Sequence, residues 1–218
     1  GKKFCSIFEK NKILFKSINR DNYSNFKEKN DFNIVINCAM PSARFWSKNN
    51  PNLDFQETVI KTHNIKNDFK QSKVIQISSI SARVQLDTVY GRHKRAAELI
   101  LEPEHDLIIR LGPIYDPSMS KGALIDIIKG DKVFISSETK YAFTPLDWVC
   151  SMIFKMKDKI GIHELGAKNY IKLSDLKNIL NSKSSFEGYI DDQVFPNATE
   201  ECPDASEVIE FAQNFIVQ

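Results

Sequence analysis

The sequence is most informative at first for what it lacks. No apolar run approaches the roughly 18 residues that a membrane-spanning helix needs, and no stretch has the form of a secretory signal. The four cysteines, Cys5, Cys38, Cys150 and Cys202, lie far apart and form no CxxC pair. That spacing favours buried free thiols in a reducing cytoplasm over disulfides or metal ligation, and no metal site is expected. Charge of one sign is missing too. Lys and Arg number 30 against 28 Asp and Glu, both spread along the chain, so the net +2 selects neither a nucleic acid nor a membrane surface. Glycine is scarce at 8 residues, and no Gly/Ser-rich linker, repeat or low-complexity segment interrupts the chain. A compact cytoplasmic protein without tethered modules is the expectation.

What is present is an alternation of apolar runs and amphipathic stretches. Residues 2–11 place Phe4, Ile7 and Phe8 at helical spacing. A short strand is expected at 13–18, then a polar stretch over 19–31. The run NIVINCA at 33–39 has the continuous apolar character of a buried parallel strand. Asn50–Pro51 resembles an N-cap with a first-turn proline and opens a helix expected to reach residue 71. Strands follow at 73–78 and 106–111, with a helix over 88–102 between them. Such alternation predicts βαβ units and an α/β, Rossmann-like, doubly wound parallel sheet. After Leu111 the rhythm breaks at Gly112, Pro113, Pro117 and Gly122. Helices are expected at 123–129, 145–155, 174–180 and 206–217, and short strands at 132–135, 141–144, 170–171 and 186–190. The expected division is a cofactor-binding core over 1–111 and a smaller mixed α/β lobe over 112–218, with segments returning to the core.

The chemistry centres on Tyr90-Gly91-Arg92-His93-Lys94. Tyrosine and lysine four residues apart share one face of a helix. A phenol titrates near pH 10, and a neighbouring cation favours the phenolate, which brings the group toward acid/base work. Ser79, at the end of the preceding strand, can hold the substrate oxygen that gains or loses the proton. Spacing alone leaves open a surface tyrosine beside a solvated lysine, and Tyr23 and Lys27 form a second such pair in a polar stretch. Tyr90 differs because it follows a buried strand that ends in Ser78–Ser79.

The run VIQISSISARVQLDTVYGRHKRAAE at 74–98 resembles the catalytic segment of the extended short-chain dehydrogenases, the family of NAD(P)-dependent sugar-nucleotide epimerases, dehydratases and reductases. Three further segments agree in order: VINCAMPSA at 35–43, LIIRLGPIYDP at 107–117 and AFTPLDWVCSMI at 142–153. The resemblance implies that Tyr90 is the acid/base and that Ser79 orients the reacting oxygen. Lys94 would tune Tyr90 and bind the nicotinamide ribose. Gly1, Arg20, Ala39, Met40, Pro113 and Ile114 would contact the cofactor; Ser79, Ser81 and Tyr115 would face the substrate, a nucleotide-linked sugar. Core packing is the alternative for Ala39, Met40 and Tyr115. His93 is expected to face away from Tyr90, Ser78 to pack or cap, and Asp147 to be a first-turn helix charge. Homodimers are common in the family, so a homodimer is a further implication.

The departure lies at the front. The family's first strand and GxxGxxG turn, whose backbone N–H groups hold the cofactor diphosphate, have no counterpart beyond Gly1. Gly1 is expected to be the last glycine of that turn in a piece of a longer chain. In the run Ile18-Asn19-Arg20-Asp21 the arginine comes first, which favours the 2′-phosphate of NADP over NAD. Ile80 and Ser81 stand where the dehydratases carry an Asp–Glu pair, which disfavours dehydration and leaves ketoreduction or epimerisation. The alternative to an enzyme is a degenerate, non-catalytic binding or regulatory module.

Overall fold

The computed structural model describes residues 1–27 and 31–216. Residues 28–30 of the expected polar stretch, and Val217 at the expected end of the last helix, lie outside the described residues. The chain opens with α1 (Lys2–Lys10), which buries Phe4 and stacks Phe8 against it with ring centroids 5.9 Å apart. Strand β1 (Ile34–Asn37) follows, then α2 (Arg44–Asn49), α3 (Pro51–Phe55), a π-helical turn at Gln56–Ile60 and α4 (Lys61–Asp68). Next come β2 (Lys73–Ser79), α5 (Ser81–Val84), α6 (Val89–Glu98) and β3 (Leu107–Leu111). The later elements are β4 (Ile114–Tyr115), α7 (Ala123–Lys129), β5 (Lys140–Tyr141), β6 (Thr144–Pro145) and α8 (Leu146–Lys155). They continue with β7 (Gly161–Leu165), β8 (Ile171–Lys172), α9 (Leu173–Ile179) and α10 (Glu207–Ile216).

These elements form two compact units, Gly1–Leu111 with Cys150–Glu164, and Gly112–Val149 with Leu165–Gln218. The first is built on a sheet of order β1-β2-β3-β7. β2 runs parallel to both β1 and β3, with Ile36 opposite Ile75 and Ile77 opposite Ile109. The side chains of Val74, Ile75, Leu107, Ile108 and Ile109 are almost wholly withdrawn from water, each worth roughly 2 kcal/mol by burial. Asp106 ties this sheet to its helices. Its carboxylate accepts from the Val74 N–H (2.9 Å), the Lys66 ammonium (2.7 Å) and the Glu102 N–H (3.0 Å).

The second unit pairs β4 with β6 in parallel and β5 with β8 antiparallel. Helices α7, α9 and α10 pack Leu124, Ile127, Leu173, Leu176 and Val208 around Tyr115, Tyr141 and Phe143. α7 stops at Gly130, whose φ of 76° places it in the left-handed conformation that ends helices.

The structure corrects several expected elements. Residues 13–18 form no strand. Phe15 packs on Phe8 at 5.5 Å while Leu14 stands 95% exposed, and a strand needs a ladder partner that this segment does not meet among the described residues. The expected strands at 132–135 and 186–190 shrink to a single bridge, Val133 to Phe186, held by a few loop hydrogen bonds. The helix expected to run unbroken from Pro51 carries the π turn. One turn further on, the Thr62 hydroxyl bonds the Thr58 carbonyl at 2.7 Å, a side-chain competitor for the backbone.

Candidate active site

Three elements of the first unit bring the Ser79, Tyr90 and Lys94 side chains together. β2 ends at Ser79, opposite Leu111 of β3. The Ser79 hydroxyl then accepts from the Ser81 N–H at 3.2 Å, which turns the chain into α5. Thr88 caps α6 by accepting from the Gly91 N–H at 3.0 Å, so the helix starts one residue before Tyr90. Gly91 permits the close approach: a β-carbon there would lie 2.0 Å from the Gln85 carbonyl oxygen and 2.7 Å from that of Ser81. α6 is thereby pressed against α5, which follows Ser79 directly.

Tyr90 and Lys94 are both buried, with 7% and 3% of their surface exposed. The Lys94 ammonium lies 5.1 Å from the centre of the Tyr90 ring and donates to the Pro41 carbonyl at 2.8 Å. Burial pushes the Tyr90 phenol up to about 12, against the opposing pull of the nearby Ser79 hydroxyl and the Arg44 charge; Asp54 adds to the rise. Burial likewise drives the Lys94 ammonium down to about 7, resisted by the Asp54 and then the Glu98 carboxylates. The sequence-based expectation that Lys94 lowers the Tyr90 phenol is not what governs here. Desolvation dominates both groups, so the resting phenol keeps its proton.

A buried ionic network lies one turn beyond Lys94. The Glu98 carboxylate accepts from the Ser78 hydroxyl (2.6 Å), from Arg110 Nε and Nη2 (3.0 and 2.7 Å) and from Arg95 (3.2 Å). Arg110 also reaches Glu164, which grips Arg83 at 2.7 and 3.0 Å. Ser78 is thus a strand-end ligand of Glu98. The two guanidiniums compensate a carboxylate that would otherwise be costly to bury.

The remaining expected residues are spread over both units. Gly1 caps α1 without a side-chain bond, and its carbonyl accepts from the Cys5 N–H at 3.3 Å. Arg20 sits on an exposed loop folded by Asn19 and Asn22, and its guanidinium pairs with Glu57 at 2.8 Å. Ala39 donates to the Asn37 side chain at 3.0 Å, and Met40 sulfur lies 3.0 Å from the Gln76 amide nitrogen. Ser81 is 1% exposed, with its hydroxyl 3.2 Å from that of Ser79. In the second unit, Pro113 accepts from Thr144 at 3.0 Å, Ile114 pairs with Thr144 across β4 and β6, and Tyr115 stacks on Phe211 at 4.9 Å within the core. Asp147 stands in the first turn of α8.

No protein-family model matches the chain, and no curated protein does. Solved structures do. The dTDP-4-dehydrorhamnose reductase of Clostridium acetobutylicum superposes with a TM-score of 0.80 at 12% identity, over 100% of this chain and 96% of that one. That agreement decides the architecture. This chain has the Rossmann-like α/β fold of that reductase. The same fold is shared with the dTDP-4-dehydrorhamnose reductase of Bacillus anthracis in complex with NADP (TM-score 0.65, 16% identity, 84% of this chain and 80% of that one). It also matches the UDP-glucose 4-epimerase of Thermotoga maritima with UDP-glucose (0.66, 15%, 85% and 76%).

Sequence reasoning missed four partners in this fold: Asp54 beside His93, Glu57 at Arg20, the Pro41 carbonyl at Lys94, and the Glu98–Arg110 pair. His93 was expected only to face away from Tyr90; its Nδ1 lies 2.6 Å from Asp54 Oδ2. The one sequence signal for any of these was the Glu98 side chain four residues after Lys94, on the same helical face.

Proposed function

We propose that this chain is an NADP- or NAD-dependent oxidoreductase or epimerase of nucleotide-linked sugars, with Ser79, Tyr90 and Lys94 as its catalytic residues. The reading rests on one observation: a buried tyrosine has a serine hydroxyl within reach and a lysine ammonium 5.1 Å from its ring. NADP and UDP-glucose are bound by proteins of this fold, the first by the Bacillus anthracis reductase and the second by the Thermotoga maritima epimerase.

The residues present fit a dinucleotide. Lys94 has three N–H donors and, among the described residues, spends one on Pro41, which leaves two for ribose hydroxyls. Arg20, with 81% of its side chain exposed, offers a guanidinium to a 2′-phosphate. Gly1, Ala39 and Met40 complete the proposed contacts within the first unit, with residues 1–111 as the cofactor core and 112–218 as the substrate lobe. A reduced nicotinamide, when bound, supplies the hydride.

The protein's own groups handle the proton. Tyr90, protonated at rest, gives its proton to the substrate carbonyl oxygen as that oxygen gains charge, and Ser79 donates a hydrogen bond to the same oxygen. Lys94, as an ammonium, offsets the phenolate that remains. A resting phenol held near 12 suits the reducing direction, in which the tyrosine acts as an acid. Ser81 is the further proposed substrate contact within the first unit.

Calorimetric titration with NADPH and NADH, followed by turnover of sugar nucleotides by the wild type and by Tyr90→Phe, tests this. Saturable binding with turnover abolished in Tyr90→Phe is the expected result. Binding without turnover on any sugar nucleotide would replace the enzyme with a binding module. No binding by a folded chain, repeated with a chain extended upstream of Gly1, would reject both.

A further inference from the structure

The proposed mechanism needs Lys94 as a cation, yet burial works against that cation, and the hydrogen bond it makes among the described residues goes to a neutral carbonyl. Something must supply negative charge nearby. Two buried acids act on Lys94, Asp54 and Glu98, and the structure separates them. Glu98 is on the same helix one turn away, but its carboxylate carries Arg110 on both oxygens and Arg95 besides. Two guanidiniums largely cancel its field.

Asp54 differs. It comes from α3, is completely buried, and its oxygens are held by a hydroxyl and an imidazole. Ser47 Oγ donates to Oδ1 at 2.7 Å, and His93 Nδ1 lies 2.6 Å from Oδ2. A carboxylate only accepts, so the His93 Nδ1 carries the hydrogen. Ser47 is itself fully buried, and the His93 ring is seated edge-on against Phe55, centroids 5.5 Å apart. The carboxylate is therefore fixed from α2 and α6 together, and His93 is the residue directly before Lys94. A buried anion without a contacting Lys or Arg is uncommon, because its desolvation goes unmatched. His93 is the ion-pair partner that touches it, and the buried Lys94 ammonium, next in sequence on α6, feels the same carboxylate.

We infer that Asp54, pinned by Ser47 and His93, is a positioning residue for the Tyr90–Lys94 pair, a fixed negative charge that keeps the buried lysine an ammonium. The inference rests on the proposed roles of Tyr90 and Lys94. Among the described residues, the charged or titratable groups that face the pair are Arg44 from α2, Asp54 from α3, and His93 and Glu98 from α6 itself. Asp54 acts on both partners with a defined sign. It favours the ammonium of Lys94 and disfavours the phenolate of Tyr90, so it holds both protons in place before substrate arrives.

The test is a titration of the Lys94 amine by nitrogen NMR on the lysine-labelled chain, with the signal identified by its loss in Lys94→Arg. In Asp54→Asn the Lys94 midpoint falls by about one pH unit; in Ser47→Ala, which keeps the charge, it stays nearer the wild-type value. An unmoved midpoint in folded Asp54→Asn overturns the inference. Should Asp54→Asn fail to fold, the reciprocal measurement decides. Carbon NMR of the Asp54 carboxyl in Lys94→Met shows a raised midpoint, and an unchanged one overturns the inference equally. Both readouts need neither cofactor nor substrate. A shifted Lys94 in a chain with no turnover would reject the proposed function and leave the charge coupling; turnover with an unshifted Lys94 would do the reverse.

Discussion

Gly91→Ala sets two effects of opposite sign against each other. Gly91 lies inside α6, where alanine is the better helix former by about 1 kcal/mol, so propensity alone predicts a more stable protein. Packing predicts the reverse. The new β-carbon would meet the Gln85 carbonyl oxygen at 2.0 Å, and the Gln85 carbonyl carbon and the Ser81 oxygen at 2.7 Å. An ordinary carbon–oxygen contact is about 3.3–3.6 Å, so the overlap exceeds an ångström. All three atoms are backbone and cannot rotate away. The Gln85 carbonyl also accepts from Thr88 N (3.0 Å) and Thr88 Oγ1 (2.8 Å), so moving it disturbs the cap of α6, worth about 1 kcal/mol more. Overpacking costs about 1–3 kcal/mol, and with the cap it outweighs the propensity gain. The expected net loss is about 1–3 kcal/mol, or about 2–4 °C in melting temperature per kcal/mol. Urea unfolding followed by circular dichroism measures it. A midpoint equal to or above that of the wild type would refute the reasoning. Because α6 carries Tyr90 and Lys94, a displacement near 1 Å should also lower turnover about 100-fold in the molecules that remain folded.

Glu98→Ala removes the partner of a mostly buried Arg110 and should cost about 3–5 kcal/mol by the same unfolding assay; a loss under about 1 kcal/mol would mean the network is not felt. Asp106 makes stability pH-dependent. Burial pushes its carboxyl up, but hydrogen bonds from Lys66, the Val74 and Glu102 backbone and His105 outweigh that and hold it below the usual carboxylate range. A depressed folded value stabilises the protein above the unfolded carboxyl's value near 4, and that stability is lost as pH falls from there through the folded value. Asp106→Asn should therefore be less stable at neutral pH and show a shallower loss below pH 4 in acid titrations; parallel curves would exclude Asp106 as the source.

Much of the fold was legible because the signals are short-range. The apolar runs at 33–39, 73–78 and 106–111 became β1, β2 and β3, and the Tyr90 helix lay where the spacing put it. Strand expectations failed where the pattern was right but a partner was missing. Residues 13–18 have β-type composition but meet no ladder among the described residues, and 132–135 and 186–190 share a single β-bridge there. A strand is a property of two segments, and composition reports on one. The π turn at Gln56–Ile60 was not readable from Pro51 onward, because it is a change in which backbone groups bond, and no residue type in QETVI marks it.

For the site, the sequence alone determined which groups could do chemistry. A phenol and an amine four residues apart share a helix face through helix geometry, and a serine at the end of a buried strand is set by strand length. Tertiary structure decided the charges those groups feel. Asp54 stands 39 residues from His93, Glu57 stands 37 from Arg20, and Arg110 stands 12 from Glu98. No local pattern links such pairs. Desolvation depends on everything packed around a group, so that Tyr90 rests protonated and Lys94 sits near neutrality could be known only once β2, α3 and α6 had closed around them.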